Sequence, residues 1–142
     1  MRKTALVAGL LAAVAAAPIA QAAMTTYKAT LSAAAEVPPV QSQGTGTAQV
    51  NVDTASKEIS WRVTFSGLSG PATAAHIHCG APAGGNAGVA VPLGSGSNWN
   101  SPLTGSAKLT DAQLQQLQSG LCYVNVHTAA NKNGEIRGQL AP

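Results

Sequence analysis

The chain has 142 residues, 45% of them apolar and 9% charged, with a formal net charge of +3 and two cysteines. That length suits one domain with one modest core. So small a charge excludes the basic face that nucleic-acid binding requires.

Residues 1–22 have the three-part layout of a secretory signal. Met1-Arg2-Lys3 is a charged start, Ala5–Ala17 is a run of 13 apolar or glycine residues, and Ala20-Gln21-Ala22 is an A-x-A cleavage site. The run is too short for a bilayer-spanning helix, which takes about 20 residues. No other segment is long and apolar enough to be transmembrane. The expectation is an exported protein, periplasmic or extracellular, with a mature domain at residues 23–142. Once Arg2 and Lys3 are removed, six basic residues face five acidic ones. The mature chain is close to neutral.

Strand patterns dominate the mature chain. Thr26–Leu31 is a first candidate. Ala48, Val50 and Val52 then alternate with polar residues, Asp53-Thr54-Ala55-Ser56 supplies turn chemistry, and Ile59, Trp61, Val63 and Phe65 alternate with polar residues again. Period two on both sides of a short polar turn predicts a β-hairpin with one buried face. Further strands are expected at Ala74–Cys79, Val89–Leu93, Ser106–Leu109, Leu121–His127 and Glu135–Leu140. One short helix interrupts them: Thr110 and Gln113 form a capping-box pair, Leu114 and Leu117 an apolar stripe, and Gly120 a stop signal. Many short antiparallel strands joined by Gly- and Pro-rich connections predict an all-β, immunoglobulin-like sandwich or barrel. The stretch Gly80–Gly88 lacks the Gly-Lys-Ser/Thr ending of a phosphate cradle and leads into a strand pattern, so it reads as a loop.

All three histidines lie near the two cysteines, in His76-Ile77-His78-Cys79 and Cys122-Tyr123-Val124-Asn125-Val126-His127. In an oxidising compartment, Cys79 and Cys122 read first as a disulfide. Strand parity puts Ala75, Ile77 and Cys79 on one face of their strand, and Cys122, Val124 and Val126 on one face of theirs. His76, His78, Tyr123, Asn125 and His127 then occupy the opposite, polar faces. Two arrangements satisfy this parity. If the cysteines pair on adjacent antiparallel strands, His78 lies opposite Tyr123, His76 opposite Asn125, and His127 one diagonal step from His76. That step is about 7–8 Å, within reach for imidazoles sharing a metal. If the disulfide crosses between two sheets, the histidines never meet.

Glu135 and Arg137 share a polar face of the last strand. Glu135 is thus a candidate to accept a ring N–H from a ligand histidine and orient it, as carboxylates beside metal-bound imidazoles do. An H-x-H pair plus a third histidine suits copper or zinc. Nothing marks a hydrolase. No serine sits in a G-x-S-x-G elbow, and nothing brings two of Glu36, Glu58 and Glu135 together as a glycosidic pair. No catalytic residue is assigned.

Ala34-Ala35-Glu36-Val37-Pro38-Pro39-Val40, Ala75–Gly80, Tyr123–Thr128 and Gly134–Leu140 resemble, in order, four blocks of the CHRD domain, named for chordin. The resemblance covers nearly all of the mature chain. It implies an immunoglobulin-like β-sandwich or barrel in a small secreted bacterial protein. It carries over His76, His78, Asn125, His127, Glu135 and Arg137, the set that parity also selects. A more distant likeness to copper–zinc superoxide dismutase lies in the H-x-H strand and the later Val-His. Three histidines are too few for that family's binuclear site.

The expectation is therefore an exported, non-enzymatic binding module with a surface histidine site for copper or zinc, under a mobile Gly-rich loop. The alternative is a structural or adhesive module that binds a protein or envelope component without metal. A copper-only, dismutase-like redox enzyme is the third reading.

Overall fold

A computed structural model describes residues 23–94 and 96–142; the leader expected at residues 1–22 lies outside them. The strands are β1 (Met24–Ser32), β2 (Thr45–Asp53), β3 (Glu58–Ser66), β4 (Ala72–Cys79), β5 (Val89–Pro92), β6 (Leu103–Lys108), β7 (Cys122–Thr128) and β8 (Ile136–Gln139). One α-helix, α1 (Asp111–Gln118), precedes β7, with the expected reciprocal bonds between Thr110 and Gln113 at its N-terminus. The strands form a single sheet in the order β5-β4-β7-β8-β1-β2-β3-β6, and all neighbours are antiparallel. The sheet curls into a nearly closed all-β barrel. Among the described residues no helix is long and apolar enough to cross a membrane.

The predicted hairpin is present, with Val50 opposite Trp61 and Val52 opposite Ile59. These side chains are buried, while their alternates Gln49, Ser60 and Arg62 are exposed. A period-two pattern becomes one wet and one dry face because successive side chains leave a strand on opposite sides. Near the gap between the edge strands β5 and β6, Trp61 Nε1 donates to the Leu93 carbonyl at 3.1 Å. Gly105, opposite Trp61, makes room for the indole: a Cβ there would stand 2.4 Å from Trp61 Cζ2. This explains why β6 starts at Leu103, three residues before the alternation suggests. The strand is anchored by buried Leu103 opposite Val63, and the glycine interrupts the pattern.

Cys79 and Cys122 are disulfide-bonded and face each other on adjacent strands. The first of the two arrangements is therefore realised. The register pairs His78 with Tyr123, His76 with Asn125 and Ala74 with His127. Ala75, Ile77, Val124 and Val126 face the core.

One feature of β7 differs from expectation. Every residue from Cys122 to Thr128 is buried, including those on the polar face. The outer face of a sheet is ordinarily solvated. Here loops lie across it.

The disulfide closes a span of 43 positions in sequence. Chain-entropy reasoning assigns such a loop about 4 kcal/mol, mostly through the unfolded state. Urea unfolding of the Cys79→Ala/Cys122→Ala double variant should show a loss of that order, with the β-sheet signature retained at low denaturant.

Candidate metal centre

The outer face of β4 and β7 carries all three histidines. His76 Nδ1 lies 3.0 Å from His127 Nε2, so the diagonal step is short enough for ring-to-ring contact. One nitrogen from each of His76, His78 and His127 falls within 4.8 Å of the others. His78 and His127 are each 8% exposed, and His76 is half-buried. The site expected on the surface is instead a covered one.

Loop segments cover it and contribute backbone carbonyls. Ala87, in the Gly-rich loop after β4, accepts from His78 Nδ1 at 2.9 Å. Lys132, in the turn after β7, accepts from His127 Nδ1 at 2.8 Å. A carbonyl oxygen only accepts, so both Nδ1 atoms carry the proton in the neutral rings. The Nε2 lone pairs of His78 and His127 are left pointing into the cluster. Asn125 Oδ1 lies between them, 3.0 Å from each Nε2.

Burial holds the His76 imidazole well below its ordinary range, at about 4, with neighbouring His127 and His78 adding to the effect. Burial also lowers His127; the Lys132 carbonyl opposes this and His78 adds to it. Near neutral pH these two rings are uncharged, the form in which imidazole binds a metal.

Tyr123 and Arg137 lie beside the triad. The Tyr123 ring stacks on His78 with centroids 4.8 Å apart and planes 5° from parallel. Arg137, from the strand on the other side of β7, places its guanidinium carbon 3.4 Å from the centre of the Tyr123 ring. Such a cation–π contact is strongest where water is excluded, and Arg137 is buried. Arg137 also donates to Asn86 Oδ1 at 2.9 Å and to the Gly85 carbonyl. The Tyr123 hydroxyl meets the backbone of Ala87. The Gly-rich loop, expected to be mobile, is tied to the sheet at these points.

Glu135 does not orient a histidine. It lies one residue before β8 and turns away from the rings, and the Lys132 carbonyl occupies the position expected for it beside His127 Nδ1. Its carboxylate accepts from the Ser42, Ser69 and Thr128 hydroxyls at 2.6 Å each, from the Ser69 amide at 2.7 Å and from Asn131 Nδ2 at 3.1 Å. It clamps three loops together.

A residue outside the expected set stands behind Asn125. Glu36 is 5% exposed, and its Oε1 has no hydrogen-bond partner. Burial raises its carboxyl above the usual range, only partly offset by Arg137, the Val37 amide and the Asn125 side-chain amide. Gly134 separates this carboxyl from the rest of the turn. A Cβ on Gly134 would come within 2.2 Å of Glu36 Oε1 and 2.8 Å of Asn125 Nδ2. The signal for Glu36 was its place in the Ala34–Val40 block as one of few acidic residues.

Residues 27–140 match the model of the CHRD domain. The chain belongs to the CHRD family. The match takes in both histidine strands, Glu36 and the Glu135 clamp. No curated protein and no solved structure matches the chain.

Burial alone would raise the Glu135 carboxyl, but the Ser42, Ser69 and Thr128 hydrogen bonds outweigh it and bring it down from 4.5 to about 2. A carboxyl lowered on folding contributes stability that is complete above its unfolded value and disappears as pH falls through the folded one. That window runs from pH 4.5 down to about 2. Glu135→Gln should cost about 2–3 kcal/mol near neutral pH, the scale of hydrogen bonds to a charged group. Urea midpoints across the window should also vary less with pH in the variant than in the parent.

Proposed function

We propose that this CHRD domain is an exported binding module that holds a transition metal, copper or zinc, through His76, His78 and His127. The observation that carries this reading is the convergence of one nitrogen from each ring within 4.8 Å. The fixed tautomers support it, because they aim the Nε2 lone pairs of His78 and His127 inward. Both cysteines are bound to each other, so no thiolate competes, and the donors are imidazole nitrogens. Imidazole-rich sets of this kind suit copper and zinc. The leader-like residues 1–22 and the disulfide support export, because such bonds persist in oxidising compartments.

A second reading has its own observation. The same side chains tie loops to the sheet, through His78 to Ala87, His127 to Lys132 and Arg137 to Asn86. On that reading the patch is a structural face of a module that binds a protein or envelope component.

The purified domain should take up one copper or zinc ion per chain, measured by metal analysis after desalting. His76→Ala and His127→Ala should each lose it. A hundredfold excess of free metal over Kd should stabilise the parent by about 2.7 kcal/mol and leave both variants unchanged. Equal metal retention by the variants would show that the histidines are not the ligands, and a metal-free parent would favour the structural reading.

A further inference from the structure

We infer that Asn125 is the fourth ligand of the proposed centre, its amide oxygen completing an N3O set that leaves no open coordination position. The inference rests on the metal reading and is tested separately from it.

Asn125 Oδ1 stands 3.0 Å from His78 Nε2 and 3.0 Å from His127 Nε2. In the neutral rings both nitrogens are lone pairs, because the carbonyls of Ala87 and Lys132 hold the Nδ1 protons. Oδ1 and each Nε2 therefore face one another as acceptors with no proton between them, an arrangement that ordinarily costs free energy. The one N–H within reach, from His76 Nδ1, can serve His127 Nε2 but lies on neither contact to Asn125 Oδ1. Rotating the amide would place Nδ2 toward the rings. It would also turn Oδ1 toward the Asn133 carbonyl, which now faces Nδ2 at 3.4 Å, and toward the buried carboxyl of Glu36 across Gly134. The surroundings thus hold the oxygen toward the histidines.

A cation removes the conflict. Donors bound tetrahedrally at about 2.0–2.1 Å stand about 3.3 Å apart. Asn125 Oδ1 lies 3.0 Å from each Nε2, and the three ring nitrogens, within 4.8 Å of one another, would draw together around an ion. His76 Nδ1, 3.0 Å from His127 Nε2, supplies the remaining nitrogen. Four protein donors are the pattern of a closed centre, whereas catalytic sites keep one position for water or substrate. The N3O assignment therefore makes this a binding centre with no position at which water or substrate could be activated.

The test is a titration of the disulfide-bonded domain with cobalt(II) alone, followed by visible absorption, then addition of azide. The parent should show the intense bands of a four-coordinate ion, and azide should leave them unchanged. Asn125→Ala should bind cobalt about 10–100-fold more weakly, and its spectrum should become azide-sensitive. Asn125→Asp, nearly isosteric and still an oxygen donor, should bind at least as tightly as the parent, with shifted bands. An azide-sensitive parent spectrum, or parental affinity in Asn125→Ala, would overturn the assignment while leaving the histidine centre standing. A parent that binds no cobalt, zinc or copper would overturn both. If the alanine variant does not fold, Asn125→Asp and the azide response of the parent decide the question.

Discussion

The pairing of β4 with β7 positions everything else in the site. Cys79 opposite Cys122 fixes a register in which His76 faces Asn125 and His78 faces Tyr123. Side chains alternate with a strict period of two, so a slip of one residue on either strand would exchange its faces. A slipped β4 would drive His76 and His78 into the core and expose Ala75 and Ile77. Burial of those apolar residues and the disulfide act against that slip together. The chemistry on the outer face is thus set by a hydrophobic preference on the inner face.

Coverage by loops converts that register into a site. The turn after β7, the Gly-rich loop after β4 and the segment containing Glu36 close over β7. These loops remove water from the imidazoles, which is why burial keeps His76 and His127 uncharged. They also supply the carbonyls that set the tautomers of His78 and His127. The stack of His78, Tyr123 and Arg137 ties strands β4, β7 and β8 together across the same face. Glu135 then fastens the turn after β7 to Ser42 and Ser69, far away in the chain.

How much of the molecule was legible in the sequence depended on how local each feature is. The hairpin, the capped helix and the parity of β4 and β7 rest on near-neighbour patterns, and all are present. The pairing of the cysteines was readable; its placement within one sheet was not, because parity is the same in either arrangement. Glu135 misled because its alternation with Arg137 implies a strand that in fact starts at Ile136. A residue in a turn owes nothing to strand parity, and the buried hydroxyls around Glu135 outcompete a more distant ring. Burial of the polar face of β7 was not readable either. It depends on loops contributed by remote parts of the chain, and none of them carries a periodic signal. Glu36 belongs to the same class: its motif was visible, its place behind Asn125 was not.

Two buried polar clusters lie on this one domain, and their contrast bears on what the histidines are for. At Glu135 every neighbour is a donor facing an acceptor: three hydroxyls, a backbone amide and a side-chain amide converge on one carboxylate. That is how a structural polar cluster is satisfied, since each buried group finds its complement. At Asn125 the pattern is inverted. An amide oxygen and two ring nitrogens meet as acceptors, and the Nδ1 protons of those two rings are engaged with the carbonyls of Ala87 and Lys132. The one other N–H at hand, from His76 Nδ1, reaches only His127 Nε2. A chain able to build the first cluster has the means to satisfy the second in the same way. Sequences tend to break such local rules at functional sites. The mismatch is relieved most directly by a positive ion, and the groups that create it are those that would bind one.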